Sequence, residues 1–350
     1  ALQAQARRFV DGFPGLVTYA VKANPEPAVL ENLLAAGITA FDVASLAEVE
    51  AVRAHAPEAA LHFNNPVRTR ADIAGAASRG VRSFSVDSFS ELDKLSQAGP
   101  AGVEVSVRFK LPVKGAAYDF GSKFGALPDR AADLLAEAAR RGFAPALTFH
   151  PGTQCPDAEA WAVYIAEAAG IARAAGVEVA RLNVGGGFPA RRGPDSPDLE
   201  AIFDRIGRAT RDAFGGAAPQ LVCEPGRGMV GECKTLGARI RAVRDDGDVF
   251  LDDGIYGGLA EAPLIGVPDW LDLRAPDGSR RTGAPRARTV FGPTCDSVDR
   301  LPDPLPLPDD IAEGDLLLIH GMGAYCSVTV TRFNGFGLMA RVPVMDLHAD

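Results

Sequence analysis

Three groups of residues in this chain could together bind a phosphorylated cofactor and react with it. Lys22 follows the first apolar run of the sequence, residues 16–21, and a lysine amine that is desolvated and partly deprotonated can form a Schiff base with a carbonyl. Three glycines follow a later apolar run, at positions 185–187, and glycines let backbone N–H groups approach an anion closely. Glu224 and Arg227 follow the next run, where they could hold a pyridine nitrogen protonated and pair with a phosphate.

Each group taken singly also has an ordinary structural explanation. A lysine at a strand end commonly extends to the surface, three glycines can form a flexible turn, and a glutamate and an arginine can form an ion pair at a barrel rim. The shared position of the three groups favours chemistry, because a (β/α)8 barrel gathers the C-terminal ends of its strands on the face where barrel enzymes act. An amine, an anion-binding loop and a Glu/Arg pair on that face predict a site for pyridoxal phosphate.

Other side chains at strand ends could complete such a site. His150 follows the sixth apolar run and could stack on a cofactor ring, and the hydroxyl of Thr153 could reach a phosphate. Asp42 lies near the end of the second run and Arg108 in the fifth. Both charged side chains should face the polar mouth of the barrel, because a buried charge is costly unless it is paired.

Three residues beyond the barrel also carry usable groups. The Cys295 thiol could donate a proton, and the Asp296 carboxylate could hold an ammonium group. Tyr325 follows an apolar run at residues 316–319. The ordinary explanations for two of them are a cysteine buried in a turn and a tyrosine packed in the core.

The elements that must position these groups follow from the hydrophobic pattern. Eight short apolar runs alternate with helix-like stretches such as residues 27–36 and 131–141. This α/β pattern predicts a parallel sheet closed into a (β/α)8 TIM-type barrel, which would span residues 1–228. The predicted strands are residues 16–21, 39–43, 61–64, 83–86, 104–109, 146–149, 181–184 and 220–223.

The pattern changes after residue 228. Residues 229–350 are rich in apolar and β-branched runs and turn residues, which predicts a C-terminal antiparallel β-barrel or sandwich domain. The predicted strands are residues 250–251, 289–291, 316–319, 327–331 and 342–344, and the predicted loops are residues 268–288 and 301–310.

Composition narrows the class of protein. The 350 residues are 47% hydrophobic, with a formal net charge of −9 and a pI near 5.2, which argues against nucleic acid or an anionic membrane as the main partner. No apolar run reaches about 18 residues, so no transmembrane helix is expected, and the first residues lack the apolar core of a signal peptide. The five cysteines form no Cys-x-x-Cys pair. We therefore expect neither a metal site nor a disulfide framework, and a cytoplasmic location.

Strings around these residues resemble those of the fold type III pyridoxal-phosphate-dependent decarboxylases of basic amino acids, most of all the ornithine and lysine decarboxylase branch. The resemblance covers nearly the whole chain in the family's order. It implies an alanine racemase-like arrangement of a barrel and a β-domain. The matching strings are residues 19–24, 41–45 with Glu48, 123–125, 149–154, 185–189, 224–227, 292–296, 323–325 and 333–336.

The resemblance also implies roles for individual residues. Lys22 carries the cofactor as a Schiff base, Glu224 pairs with the pyridine nitrogen and His150 stacks on the ring. Cys295 protonates the carbanion that remains after carbon dioxide departs. The other residues implied to bind the cofactor are Asp42, Glu48, Arg108, Thr153, Gly186, Gly187, Gly226, Arg227 and Tyr325.

Substrate recognition and assembly are implied in the same way. Asp296 meets the distal amine of a small-molecule amino-acid substrate, and Tyr256 and Glu261 are further candidates for binding it. In this family the residues that match Cys295 and Asp296 reach the active site of the neighbouring subunit. The resemblance therefore implies a homodimer with two shared active sites, acting in polyamine biosynthesis.

Two features of the chain depart from the family pattern. Animal-type ornithine decarboxylases have an aspartate near the position of Ile265, and Glu261 could substitute for it. Family members often have a β-strand before the first barrel strand, whereas only fifteen residues precede position 16 here, which suggests a shortened start.

Several functions remain open at this point. Ornithine is the favoured substrate and lysine the next. Diaminopimelate decarboxylases usually have Cys-Glu-Ser where this chain has Cys295, Asp296 and Ser297, so that substrate ranks lower. Ile265 motivates a third possibility, a different amino acid of a biosynthetic pathway. A catalytically inactive regulatory relative is the fourth, and the intact Lys22, Cys295 and glycine loop count against it.

Overall fold

A computed structural model describes residues 1–111 and 122–343 of the chain. The chain divides into two compact units, the first ending at Lys234 and the second beginning at Thr235. The boundary expected from the sequence, after residue 228, falls six residues earlier.

The first unit is a closed barrel of eight parallel strands in sequence order, as the βα rhythm predicts. Closure is made by β1 and β8, where Leu16 pairs with Val222. The strands are β1 (Leu16–Ala20), β2 (Ala40–Val43), β3 (Ala60–Phe63), β4 (Ser83–Val86), β5 (Glu104–Arg108), β6 (Ala144–Thr148), β7 (Arg181–Asn183) and β8 (Gln220–Cys223). The helices are α1 (Leu2–Gly12), α2 (Pro27–Ala35), α3 (Leu46–His55), α4 (Arg70–Ser78), α5 (Phe89–Ala98), α6 (Pro128–Arg140), α7 (Ala158–Ala175), α8 (Leu199–Phe214) and α9 (Arg227–Val230).

Three consecutive βα loops end in hydroxyl side chains that start the next helix. Ser45, Thr69 and Ser88 each accept a hydrogen bond from a backbone N–H in the first turn of α3, α4 and α5. Such caps satisfy N–H groups that have no partner within the helix. The caps therefore fix where each of the three helices begins.

The second unit is built from strands. Its five-stranded sheet has the order β11-β15-β9-β10-β13, and a separate two-stranded ribbon pairs β12 with β14. Every pairing is antiparallel except that of β10 with β13. The elements are β9 (Thr235–Val243), β10 (Val249–Leu251), α10 (Ala262–Ile265), β11 (Leu271–Arg274), β12 (Pro285–Arg288), β13 (Val290–Phe291), β14 (Leu305–Pro308) and β15 (Leu316–His320).

Two segments predicted as loops are strands. Residues 268–288 contain β11 and β12, and residues 301–310 contain β14. In β14 the leucines Leu305 and Leu307 are buried and alternate with prolines. Proline is tolerated there because the ribbon has only two strands, so each strand has a free edge.

One predicted strand is wrong. Residues 327–331 form a turn, a bend and irregular backbone, although their β-branched alternation is typical of a strand. Tyr325 has a positive φ of 54°, and the hydroxyl of Thr329 donates to the Tyr325 carbonyl at 2.8 Å. Local side-chain bonds of this kind compete with a sheet ladder. Of the predicted strand 342–344, residues 342 and 343 are irregular, and Val344 lies outside the described residues.

The helices of the described ranges are all too short or too polar to cross a membrane.

Candidate active site at the barrel mouth

Lys22 sits at the C-terminal end of β1, on a single 3₁₀ turn (Val21–Ala23). The buried Tyr19 hydroxyl donates to the Asn24 carbonyl at 3.0 Å and stabilises this turn. The Lys22 amine lies 3.1 Å from Oδ2 of Asp42, a residue of the adjacent strand whose side chain is 2% exposed, whereas the lysine side chain is 45% exposed. The ion pair therefore holds a partly exposed amine at the C-terminal end of the barrel strands.

Glu48 adds a second carboxylate beside this pair. Its Oε2 accepts from the Ala44 N–H at 2.7 Å, and its own N–H donates to the Ser45 hydroxyl. Burial raises the pKa of Glu48, and the Asp42 charge raises it further, while the Lys22 amine and the Ala44 bond lower it.

Glu224 follows β8 and is 7% exposed. Two side-chain amides donate to the same carboxylate oxygen, Oε2: Asn64 Nδ2 at 2.8 Å and Asn183 Nδ2 at 3.2 Å. Burial, with the Asp42 charge, raises the pKa of Glu224 to about 7, against the opposing effect of Lys22 and Arg108. The hydrogen bond from Asn183 acts on this pKa in the lowering direction, towards the carboxylate form that pairs with a protonated ring nitrogen.

His150 follows β6 as a neutral imidazole. Its Nδ1 accepts a hydrogen bond from the Gly152 N–H at 3.0 Å, so the ring proton is assigned to Nε2. Burial lowers the pKa of His150 well below its usual range, and the positive charges of Arg108 and Lys22 act in the same direction. Arg108 itself lies over the Phe124 ring at 5.2 Å, and burial lowers its pKa.

The three glycines after β7 form a cradle with no room for side chains. Gly185 and Gly187 have φ of 71° and 85°, and a Cβ on either would come 2.2 Å from a backbone oxygen of the loop after β6. A Cβ on Gly186 would meet the Glu224 backbone oxygen at 2.8 Å and His150 Nε2 at 3.2 Å. The backbone of this loop thus packs directly against the other mouth residues, and the absence of side chains leaves its N–H groups able to approach an anion closely.

The remaining first-unit candidates lie in neighbouring loops. Arg227 begins α9 and is 8% exposed, and Gly226 precedes it as the N-cap. Thr153 lies half-buried in the loop after β6. Gln154, the next residue, was not singled out from the sequence. Its side chain makes two hydrogen bonds to the backbone of Ala190, which tie the loop after β6 to the glycine loop.

The second unit brings three of its candidates together. The Tyr256 hydroxyl donates to Asp296 Oδ2 at 2.5 Å; this bond is the main cause that lowers the pKa of Asp296 and raises that of Tyr256. Cys295 is exposed, and its backbone N–H donates to Asn334 Oδ1 at 3.0 Å. The Phe333 ring packs against Tyr256, with 4.9 Å between ring centres. An exposed thiol and a carboxylate oriented by a hydroxyl are therefore consecutive in the chain.

Two other candidates of the second unit lie in separate turns. Glu261 is the N-cap of α10, and its carbonyl accepts from the N–H groups of Leu264 and Ile265. Tyr325 is half-buried in the left-handed region described above. Ile265 ends the short helix α10.

Sequence reasoning also missed the two asparagines that hold Glu224. A signal was present, since Asn64 directly follows β3 and Asn183 ends β7 in otherwise apolar strings. Polar residues at the C-terminal ends of barrel strands face the functional side of this fold.

The donor set of the first unit fits pyridoxal phosphate. The cofactor needs an amine for its aldehyde, an acid for its ring nitrogen and a backbone cradle for its phosphate. Lys22, Glu224 and the glycines after β7 supply these groups at the ends of β1, β8 and β7.

Comparison with known proteins agrees with this chemistry. The family described as pyridoxal-dependent decarboxylase, pyridoxal binding domain, matches residues 1–231. A lysine/ornithine decarboxylase of Selenomonas ruminantium is 34% identical over 334 residues, which are 92% of this chain and 81% of that protein. A diaminopimelate decarboxylase of Pseudomonas aeruginosa is 31% identical over 98% of this chain and 85% of its own length.

A solved structure gives the same answer for the fold. The arginine decarboxylase of Paramecium bursaria Chlorella virus, bound to agmatine, superposes with a TM-score of 0.85 at 28% identity, covering 96% of this chain and 92% of that one. The chain therefore belongs to the fold type III pyridoxal-phosphate-dependent decarboxylases, in the ornithine/lysine branch, and is an amino-acid decarboxylase that uses pyridoxal phosphate.

Proposed function

We propose that this enzyme decarboxylates a basic L-amino acid, ornithine first and lysine next, to a diamine in cytoplasmic polyamine biosynthesis. The observation that carries the proposal is the Asp296 carboxylate, oriented by the Tyr256 hydroxyl at 2.5 Å. A fixed carboxylate on an accessible loop suits a distal ammonium group. Relatives named as lysine/ornithine, arginine and diaminopimelate decarboxylases support a substrate with a charged tail.

In this proposal each mouth residue has one task. Bound pyridoxal phosphate supplies a ring that accepts the electron pair left when carbon dioxide departs. Lys22 holds the cofactor covalently, and Glu224 keeps the ring nitrogen protonated. Neutral His150 packs against the ring without adding positive charge.

The loops after β6, β7 and β8 would bind the phosphate group. The backbone of the glycine loop and the side chains of Arg227 and Thr153 would supply donors to it, and the Tyr325 hydroxyl is proposed as a further donor. Gly226 has no side chain, so the backbone before α9 could approach the phosphate closely. Asp42, Glu48 and Arg108 set the charge balance around the Lys22 amine.

Cys295 returns a proton to the Cα atom in our proposal, and Asp296 holds the far end of the substrate. Both belong to the second unit and reach the mouth of a partner subunit, so that a homodimer has two shared sites. Glu261 and Tyr256 help to bind the substrate.

Mixing two inactive variants tests the shared site. Lys22→Ala and Cys295→Ala each remove one residue from every site of their own homodimer. A mixed dimer regains one complete site, so exchange of subunits should restore up to about a quarter of wild-type activity. Decarboxylation is measured after subunit exchange is verified with differently tagged chains; exchange without any recovery would contradict the shared site.

A substrate panel tests the proposed function itself. We expect carbon dioxide release and diamine formation from ornithine, with lysine as the second-best substrate. Arginine, diaminopimelate and norleucine serve as comparisons of different tail chemistry. A preference for diaminopimelate would favour the second candidate, and cofactor binding without turnover of any amino acid would favour an inactive regulatory relative.

A further inference from the structure

The carboxylate of Glu224 has an asymmetric set of partners. Oε2 accepts both amide bonds, from Asn64 and Asn183. Within the described residues, no group donates a hydrogen bond to Oε1. The two donors of the protein thus share one carboxylate oxygen.

The two asparagines are themselves held in place. Asn183 is 3% exposed, and its Oδ1 accepts the Gly185 N–H at 2.9 Å, which turns its Nδ2 towards Glu224. Asn64 is 8% exposed. Its backbone carbonyl accepts from the buried Ser85 hydroxyl at 2.7 Å, and its backbone N–H donates to Val43. The Asn183 amide therefore cannot turn away without losing its bond from Gly185, and the Asn64 side chain starts from a backbone that is bonded through both its N–H and its carbonyl.

Burial and charges of both signs act on the Glu224 carboxyl. Asp42 repels the carboxylate, while Lys22 and Arg108 attract it, and burial disfavours its charged form. His150 lies nearby, with its Nε2 3.2 Å from where a Cβ on Gly186 would be, and it is neutral and adds no charge. Neutral amides stabilise a buried carboxylate by donating hydrogen bonds, without adding a positive charge that would repel a protonated ring nitrogen.

We propose that Asn64 and Asn183 are positioning residues that favour the carboxylate form of Glu224 and direct its Oε1 to the ring nitrogen of the cofactor. This inference rests on the proposed role of Glu224 as the partner of that nitrogen. Asn183 has a second task, because its bond to Gly185 links the acid to the phosphate cradle.

The first measurement uses the enzyme without its cofactor. The Glu224 carboxyl is titrated by ¹³C NMR in protein labelled at glutamate, with its signal assigned from a Glu224→Gln variant. Asn64→Ala and Asn183→Ala should each raise the pKa of this carboxyl by about one pH unit. Asn65→Ala is the matched control: the Asn65 amide oxygen accepts from Val67 instead, so that variant should leave the titration unchanged.

The second measurement is cofactor affinity. Each variant should bind pyridoxal phosphate roughly tenfold more weakly, the size expected from one lost hydrogen bond to a charged group. Pyridoxal without its phosphate separates the two residues. Asn64→Ala should weaken both ligands equally, whereas Asn183→Ala should weaken pyridoxal phosphate more, because the cradle loosens as well.

The outcomes separate this inference from the role of Glu224 itself. An unchanged Glu224 titration in both asparagine variants overturns the inference, even if Glu224→Gln still weakens cofactor binding. In a second outcome, the asparagine variants raise the pKa of Glu224, but neither they nor Glu224→Gln change the affinity for the cofactor. That result overturns the role of Glu224 towards the ring, and the inference with it. If an alanine variant does not fold, Asn64→Leu removes the donor while keeping the volume, and it should give the same rise in pKa.

Discussion

Replacing Lys22 by alanine should abolish the covalent attachment of pyridoxal phosphate and reduce turnover by several orders of magnitude. The amine stands at the open end of β1, 3.1 Å from Asp42, with the glycine loop and Glu224 on the same face of the barrel. Borohydride reduction of the holoenzyme followed by peptide mapping should place the pyridoxyl label on Lys22.

Two further variants separate the covalent role of Lys22 from its charge. Lys22→Arg keeps a cation beside Asp42 but cannot form a Schiff base, and it should be as inactive and as unlabelled as Lys22→Ala. Lys234→Ala removes a lysine that pairs with Glu26, and it should keep both label and activity. A label on any lysine other than Lys22 would contradict the assignment of Lys22 as the residue that binds the cofactor covalently.

The barrel could be predicted from the sequence because its pattern, an apolar run followed by a helix-like stretch, repeats along the chain. Each strand is an apolar run followed by a helix, so eight weak signals support one another, and the observed strands start within two residues of the predicted ones. The second unit lacks that redundancy. Its ribbon strand β14 reads as a loop because it contains prolines, and only its pairing with β12 explains why Leu305 and Leu307 are buried.

The mouth residues were predictable for a different reason. Lys22, Glu224 and the glycines are unusual at the ends of apolar strands, so their residue types alone draw attention. Asn64 and Asn183 are uncharged amides, and their importance depends on which oxygen of Glu224 they face. That is a property of the folded barrel, because the three residues come from three different strand ends.

Substrate choice should depend most strongly on Asp296. If it holds the distal ammonium group of the substrate, Asp296→Ala leaves that charge without a partner, which is costly once the site closes around it. We expect kcat/KM for ornithine and lysine to fall on the order of a hundredfold or more. Residual activity on norleucine, whose tail is uncharged, should change far less.

Two variants refine the test of Asp296. Tyr256→Phe removes the hydroxyl that orients the carboxylate and should lower kcat/KM for diamino acids by roughly tenfold, the cost of one hydrogen bond to a charged group. Asp296→Asn keeps the shape and removes the charge, so it should resemble Asp296→Ala. Because Ile265 makes α10 apolar where animal-type enzymes have an aspartate, ornithine could bind loosely even in the wild type.

The diamino-acid assignment fails if the wild type prefers a neutral tail, or if Asp296→Ala weakens all substrates equally. The fold and the cofactor would stand in either case, because Lys22, Glu224 and the glycine cradle do not depend on the chemistry of the substrate tail.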